Sequence, residues 1–188
     1  FYNHLNTKSF INQFYHLINI ELKKIERRKN INQIIFEKDY KQNIYSKLKK
    51  KIYKLFNYTT VRIGFEFSII KSNCFIPPHC DTDNKLLSLM LYFPPINNLS
   101  QEHENLGTNF YKSKDVNSNN KMNNWFSEML DKDTTIEFHR NYISFYKSKF
   151  SGNKLVGFIK NNKSWHDVSA FTNPSYERRS VNINIYLV

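Results

Sequence analysis

His79 and Asp81 are the residues whose types and spacing point most directly to chemistry, because together they suit a metal ion. Only Cys80 separates them, and on an extended segment residues i and i+2 project to the same side of the chain. The preceding Pro77 and Pro78 exclude a helix at this point. An imidazole beside a carboxylate supplies two of the three ligands in the 2-His-1-carboxylate arrangement that holds non-haem Fe(II). Such a pair is common by chance, so a metal site also requires a second histidine elsewhere.

His166 is the best placed of the six histidines to complete this site. It lies far along the chain, on a short predicted strand at residues 164–168 that precedes a proline-containing turn. Each of these ligands, taken alone, is better explained by an ordinary hydrogen-bonded or turn-capping side chain. The other histidines lie in the N-terminal helical region, in a polar loop or at the end of a predicted strand: His4, His16, His103 and His139.

Arg178 and Arg179 open the last predicted strand, residues 178–187, and supply a candidate anion site. Alternation along a strand puts Arg178 and Ser180 on one face and Arg179 on the other. A guanidinium is a planar fork that suits a carboxylate. An arginine rooted in the sheet near a metal is therefore a receptor for the distal carboxylate of a small dicarboxylic acid. Spacing alone leaves both arginines as candidates.

Taken together, these residues resemble the motif of the Fe(II)- and 2-oxoglutarate-dependent oxygenases, in particular the branch that includes prolyl hydroxylases. The family pattern is His-x-Asp, a distal His and Arg-x-Ser/Ala-apolar, which stands here as His79-Cys80-Asp81, His166 and Arg178-Arg179-Ser180-Val181. The flanking residues are also similar: Lys85-x-x-Ser88-x-x-x-Tyr92, Leu106-Gly107-Thr108 and Trp165. The resemblance covers residues 61–188. The chain departs from compact prolyl hydroxylases in the longer stretch between Asp81 and His166.

This resemblance implies a metal-dependent hydroxylase in which His79, Asp81 and His166 bind Fe(II). The implied reaction couples hydroxylation by O2 to oxidative decarboxylation of 2-oxoglutarate to succinate and CO2, with ascorbate as a candidate reductant. Asp81 favours hydroxylation, because halogenases of the family lack this carboxylate. The substrate stays open among peptidyl proline, an amino acid, a sugar, a lipid and a nucleobase. The alternative is a non-catalytic basic jelly-roll binding module with a vestigial metal site.

The resemblance also implies a site for the cosubstrate. Arg178 would pair with the distal carboxylate of 2-oxoglutarate, and the order Arg-x-Ser-Val favours it over Arg179. Tyr92 aligns with a tyrosine that donates to the same carboxylate in prolyl hydroxylases, and Ser180 would assist. Tyr92 is equally well explained as a plain aromatic residue of the core.

The elements that must position these residues follow from hydrophobic periodicity. Residues 9–28 and 39–56 repeat apolar side chains at three- and four-residue steps and predict two helices. Alternating or β-rich segments predict strands at 61–68, 86–93, 106–111, 134–138, 142–146, 154–159, 164–168 and 178–187. This order predicts an α+β, mainly β fold: a double-stranded β-helix, or jelly roll, with two N-terminal helices packed on one sheet. We expect one domain, with 1–57 as helical support and 58–188 as the jelly-roll core.

The insertion at residues 115–131 carries its own pattern. Its apolar residues fall at helical spacing and predict a short amphipathic helix. This helix would either cover a sheet face or lie over the substrate pocket as a lid. The residues concerned are Met122, Trp125, Phe126, Met129 and Leu130.

Composition limits the binding partners and the cellular compartment that we expect. The formal net charge of +12 would suit a polyanion such as nucleic acid, but the excess of Lys, Asn and Ile is typical of AT-rich coding, and we favour a solvated basic surface. No apolar run reaches the ~18 residues of a membrane span. The two cysteines, Cys74 and Cys80, form no disulfide framework. These features predict a globular protein in a reducing, cytoplasmic setting, with Cys80 as a small buried side chain.

Overall fold

The structure is a computed structural model that describes residues 2–25, 33–36, 43–56, 58–95, 106–115, 132–161, 163–174 and 176–188. Within these ranges the chain forms nine strands and four helices, so the prediction of a mainly β protein is confirmed. None of the helices that the structure describes is long and apolar enough to cross a membrane.

The N-terminal part of the chain is helical, as the periodicity predicts. Helix α1 is Tyr2–Leu5, α2 is Lys8–Ile25 and α3 is Ile44–Leu55. The hydroxyl of Thr7 accepts a hydrogen bond from the backbone N–H of Phe10 at 3.1 Å, which caps the start of α2. Both longer helices contact the same sheet, since α2 touches β1 (Gln33–Phe36) and β4 (Lys85–Tyr92), and α3 touches β2 (Tyr58–Lys71).

The strands form two sheets. The remaining strands are β3 (Ile76–His79), β5 (Asn109–Ser113), β6 (Tyr142–Lys147), β7 (Leu155–Ile159), β8 (His166–Val168) and β9 (Glu177–Leu187). A five-stranded sheet has the order β1-β2-β9-β4-β7, and a four-stranded sheet has the order β3-β8-β5-β6. All neighbouring strands are antiparallel except β1 and β2. In the described residues neither sheet closes on the other, so the predicted jelly roll is not confirmed.

The five-stranded sheet has one apolar face and one polar face. On β9 the side chains of Val181, Ile183 and Ile185 belong to a buried cluster that also includes Phe10 and Ile11 of α2. The alternate residues of β9 point the other way and line a cavity that β3 and β8 of the four-stranded sheet also line. Helix α2 therefore packs on the outer, apolar face of this sheet, and the inner face is left for a polar site.

Helix α3 departs from a simple amphipathic packing scheme. It contacts β2, yet its apolar residues Ile44, Leu48, Ile52 and Leu55 are exposed in the described structure. The lysines described on its other side are also mostly exposed, in agreement with the predicted solvated surface. The prediction that both helices lie on one sheet therefore holds, but burial of an apolar face is observed for α2 alone.

Residues 134–138 were predicted as a strand, and this prediction is wrong. The segment belongs to helix α4 (Lys132–Asn141). Its one buried apolar side chain, Phe138, stacks on Tyr142 with ring centroids 4.4 Å apart. The ammonium of Lys114 donates to the last carbonyls of the helix, those of His139 and Arg140, at 3.0 and 2.8 Å. These tertiary contacts and the helix-end charges outweigh the strand preference of Thr134, Thr135 and Ile136.

Two strands were not predicted, and the insertion is not described. Strand β1 is too short to show periodicity, and β3 includes both Pro77 and Pro78. The prolines are tolerated because β3 is an edge strand, where a missing N–H donor costs no ladder bond. The predicted amphipathic helix of the insertion, with its candidate lid role, lies outside the described residues.

Candidate metal centre

The pairing of β3 with β8 brings His79 and His166 together. They are Cα partners across this antiparallel pair, and their ring centroids are 4.2 Å apart. Each ring places Nδ1 near the backbone carbonyl two residues upstream, at 2.8 Å from Pro77 and 2.9 Å from Ser164. A carbonyl oxygen only accepts, so each Nδ1 carries the proton and each Nε2 carries a lone pair. That tautomer is the one in which a histidine binds a metal through Nε2.

Asp81 follows β3 and turns its carboxylate towards the two imidazoles. The ammonium of Lys85 donates to Oδ1 at 2.8 Å, and the hydroxyl of Ser88 donates to Oδ2 at 2.8 Å. These bonds orient the carboxylate and leave lone pairs on both oxygens, because a carboxylate accepts about four hydrogen bonds. Lys85 and Ser88 therefore provide the kind of hydrogen bonds that usually hold a metal-binding carboxylate in place.

The three side chains form a donor set for a metal. One ligand atom from each of His79, Asp81 and His166 lies within 4.8 Å of the other two. Two atoms bound to one ion at ~2.1 Å are at most ~4.2 Å apart, so small side-chain rotations suffice to bring all three onto one ion. Two imidazoles and a carboxylate suit a divalent metal such as Fe(II) or Zn²⁺ and occupy only part of its coordination sphere.

The protonation states of these groups also suit a metal. Burial lowers the pKa of His79, and burial together with His79 lowers the pKa of His166 to about 4. Both imidazoles are therefore neutral at neutral pH. Burial raises the pKa of Asp81, but His166, Lys85 and the Ser88 hydroxyl more than offset this and hold the pKa below its ordinary value. Because His166 is neutral at pH 7, Lys85 is the cation that stabilises the carboxylate there.

The metal ligands and Arg178 line one cavity of about 470 Å³. Arg178 is 2% exposed, and its Nε donates to the carbonyl of Leu106 at 2.6 Å. Its terminal nitrogens lie 3.3 Å from the Ser180 hydroxyl and 3.5 Å from the Thr108 hydroxyl. Burial lowers the pKa of this arginine, with Tyr92 acting in the opposite direction. No carboxylate pairs with Arg178 within the described ranges, so its charge is buried among neutral partners.

Arg179 lies on the opposite face of β9. Its side chain is 62% exposed and pairs with Glu177 at 2.9 Å. The two arginines that spacing alone could not separate are thus separated by the structure: Arg178 faces the cavity and Arg179 faces outward. Ser180 shares the cavity with Arg178, as the alternation predicts.

Tyr92 is buried beside Arg178 rather than in the wall of the cavity. Its ring centroid lies 5.2 Å from the guanidinium carbon, a cation–π distance. Its hydroxyl is 3.0 Å from the Thr108 hydroxyl and 2.8 Å from the Ser148 hydroxyl. In this arrangement Tyr92 supports the guanidinium through its ring and through Thr108, and its predicted donation to a cosubstrate carboxylate stays a prediction.

The remaining candidates are placed away from this cavity or outside the described residues. His4, His16 and His139 are exposed, and His103 lies outside the described ranges. Lys85 and Ser88 belong to the sequence motif, but spacing alone gives them no role. Asn184 was missed, although continuing the alternation from Arg178 along β9 puts it on the cavity face. Glu66 also lines the cavity, and no local pattern links it to the site.

Comparisons with known proteins add little to this geometry. Neither a protein-family model nor a curated protein sequence matches the chain. A solved structure, that of a Pseudomonas putida prolyl-4-hydroxylase, is similar with a TM-score of 0.39 and 17% sequence identity, covering 91% of this chain and 80% of that one. A likeness of this size assigns neither a fold nor an activity to the present chain.

Proposed function

We propose that the chain is an Fe(II)- and 2-oxoglutarate-dependent dioxygenase that hydroxylates an organic substrate. One observation carries the proposal: a single cavity brings together two neutral imidazoles, one carboxylate and a buried guanidinium. Metal ligands alone would suit many proteins. The buried cation at the other end of the same cavity adds a receptor for a dicarboxylic acid.

His79, Asp81 and His166 would hold the iron. When bound, it supplies activation of O2 coupled to decarboxylation of 2-oxoglutarate to succinate and CO2. Lys85 and Ser88 would keep the carboxylate of Asp81 ionised and oriented, and the carbonyls of Pro77 and Ser164 would keep both imidazoles in the ligating tautomer.

Arg178 would bind the distal carboxylate of 2-oxoglutarate. A buried guanidinium that has only neutral partners is costly, and a carboxylate that reaches it makes strong charge-assisted hydrogen bonds. Ser180 and Thr108, whose hydroxyls already lie next to the guanidinium, would flank that carboxylate. Tyr92 and Phe150 hold the guanidinium in place, with ring centroids 5.2 and 5.5 Å from its central carbon.

Apolar walls around the metal ligands support chemistry that must exclude water. The His166 ring packs beside Phe110 and Phe158, with ring centroids 6.2 and 4.5 Å away. Ile76, Met90 and Val168 line the same cavity. Such walls restrict solvent and favour an organic substrate beside the metal.

The strand order also supports the proposal. From β2 onwards the chain alternates between the two sheets, except that β5 and β6 are neighbours in the four-stranded sheet. Alternation of this kind is typical of the two Greek keys of a double-sheet jelly roll. In that arrangement β3, β8 and β9 would bring the metal ligands and Arg178 to one opening.

The test is to add 2-oxoglutarate to the Fe(II)-loaded protein without O2 and to look for a visible charge-transfer band. O2 and ascorbate are then admitted, and succinate and CO2 are measured. We expect both the band and slow succinate release without any added substrate. The alternative, a non-catalytic basic binding module, predicts neither. The same assay on His79→Ala shows whether the signals depend on the proposed ligands.

A further inference from the structure

Asn184 lies on the cavity face of β9, next to the candidate metal ligands. Its Cα partner on β4 is Ser88, whose hydroxyl donates to Asp81. Opposed side chains in an antiparallel pair have Cβ atoms ~5 Å apart, so Asn184 lies close to Ser88 and its hydrogen bond to Asp81. It is also four residues, or ~13 Å of strand, beyond Ser180, where Arg178 would hold the cosubstrate. Asn184 therefore belongs to the opposite end of the cavity.

The orientation of the Asn184 amide is set by a chain of hydrogen bonds. The carboxylate of Glu66 can only accept, so the Tyr186 hydroxyl donates its single proton to Glu66 Oε1. Burial and the neighbouring Glu66 raise the pKa of Tyr186, which keeps that proton in place. The Tyr186 oxygen then accepts from Asn184 Nδ2 at 3.3 Å. The side-chain oxygen of Asn184 must consequently point the other way.

The Tyr186 ring is itself held in one position. Gly64 leaves room for it, since a Cβ at that residue would lie 2.8 Å from a ring carbon of Tyr186. On its face lies the guanidinium of Arg62, with the central carbon 4.6 Å from the ring centroid. With its ring and hydroxyl both constrained, Tyr186 gives the Asn184 amide a rigid partner.

The side-chain oxygen of Asn184 is an acceptor without a donor. Asn184 is 0% exposed, and this oxygen has no hydrogen-bond partner among the residues that the structure describes. An unmet buried acceptor costs ~1–3 kcal/mol, and such groups are few in folded proteins. Asn184 lies in the lining of the cavity, and a small rotation of its amide towards the cavity lets a bound molecule supply the missing donor.

The charges at this end of the cavity select the kind of donor. Glu66 and Asp81 contribute carboxylates to the lining, which disfavours an anionic group. Lys85, a cation that lines the same cavity, is already bound to Asp81 at 2.8 Å. Lys85 and Arg62 both lie near the Tyr186 ring, and their positive charges disfavour a cationic group of the substrate at this position. A neutral N–H or O–H group satisfies Asn184 without either conflict.

We propose that Asn184 is a specificity-determining residue whose side-chain oxygen accepts a hydrogen bond from a neutral donor of the substrate. The substrate class is thereby narrowed to molecules that carry an amide N–H or a hydroxyl near the reacting carbon, and carboxylates and phosphates at that position are excluded. This inference rests on the proposed function for the reaction, but the binding preference itself does not require turnover.

The test uses three probes with one carbon skeleton: cyclopentanecarboxamide, methyl cyclopentanecarboxylate and cyclopentanecarboxylate. Their dissociation constants for the full chain are measured by NMR titration of 15N-labelled protein, following the backbone amides of the residues that line the cavity. We expect the amide to bind about tenfold more tightly than the ester, which is one hydrogen bond of ~1.4 kcal/mol, and the carboxylate to bind weakest.

Three variants test whether Asn184 causes the preference for the amide over the ester. Asn184→Leu keeps the size of the side chain, and we expect amide and ester to bind equally to it. Asn182→Leu, on the same face of β9, serves as the matched control and keeps the preference. Glu66→Leu leaves Asn184 in place but removes the acceptor that orients Tyr186, so the Asn184 amide can change its orientation and the preference falls.

Three results would overturn the inference: equal binding of the probes to the unaltered protein, no detectable binding of any probe, or a preference that survives Asn184→Leu. Failure of the proposed function looks different. If the amide preference depends on Asn184 while Fe(II) and 2-oxoglutarate give no succinate, the role of Asn184 in binding is supported and the proposed dioxygenase activity is rejected. If succinate is released without any amide preference, the dioxygenase activity is supported and the role of Asn184 in binding is rejected.

Discussion

His79 and His166 are direct partners across β3 and β8, with their imidazole centroids 4.2 Å apart. Each ring is turned by a hydrogen bond to the carbonyl two residues before it. The same local geometry thus occurs twice, on two strands that are distant in the sequence. Asp81, two residues beyond the first histidine, completes a set that one ion can bind.

We expect Fe(II) to bind one site per chain and to stabilise the fold. A ligand at about 100 times its dissociation constant adds ~2.7 kcal/mol to the free energy of unfolding. The melting temperature should therefore rise on adding Fe(II) without O2 and fall again with a chelator. His79→Ala and His166→Ala should each abolish this rise. His139→Ala, an exposed histidine at the end of α4, is the control, and full metal occupancy in both cavity variants would refute the assignment.

Arg178, and not Arg179, should set the requirement for 2-oxoglutarate. Loss of a charge-assisted hydrogen bond costs ~1.5–3 kcal/mol, so Arg178→Ala should raise the 2-oxoglutarate concentration for half-maximal succinate release by one to two orders of magnitude. Arg179→Ala removes an exposed arginine from the same strand and should change it little. Fe(II) binding by both variants checks that the fold persists. The reverse ranking would mean that the guanidinium of Arg178 has a structural role only.

Gly107 should be irreplaceable even by alanine. A Cβ at this position would lie 1.6 Å from the carbonyl oxygen of Ser148, and backbone on both sides leaves little room to relax. Overpacking typically costs ~1–3 kcal/mol or more, and here the neighbours Leu106 and Thr108 contact Arg178. Gly107→Ala should lower both the stability to urea and the affinity for 2-oxoglutarate.

Gly152→Ala is the matched control for that substitution. A Cβ at Gly152 would meet Pro94 at an ordinary contact distance of 3.5 Å. Stability should then change by no more than ~0.5 kcal/mol. Equal effects of the two alanines would show that the close approach at Gly107 does not constrain the loop.

The two cysteines should differ sharply in reactivity. Cys74 is exposed, whereas Cys80 is 0% exposed and burial raises its pKa to about 12. Since the thiolate is the reactive form, Cys80 should stay protonated across the physiological range. A thiol reagent at pH 8 should modify one thiol in the folded chain and two in denaturant. Cys74→Ser should abolish the fast reaction, and a fast reaction that survives it would mean that Cys80 is accessible.

The sequence by itself determined the local parts of the site. The i, i+2 spacing puts His79 and Asp81 on one side of an extended segment, and alternation puts Arg178 and Arg179 on opposite faces of β9. Which of these faces lines the cavity, and that Asn184 belongs to it, was decided by the tertiary structure. Periodicity also predicted a mainly β chain with two N-terminal helices. These inferences succeed because they depend on neighbours within a few residues, where backbone geometry decides which way a side chain points.

Tertiary structure decided what depends on distant partners. Residues 134–136 have β-branched side chains, yet they form a helix because Phe138 packs on Tyr111 and Trp165 and Lys114 binds the helix end. Pro77 and Pro78 lie in a strand because that strand is at the edge of its sheet. Glu66 orients Asn184 through Tyr186 only because β2 and β9 pair in one register. Such contacts join residues far apart in the chain, and a pattern within one segment carries no information about them.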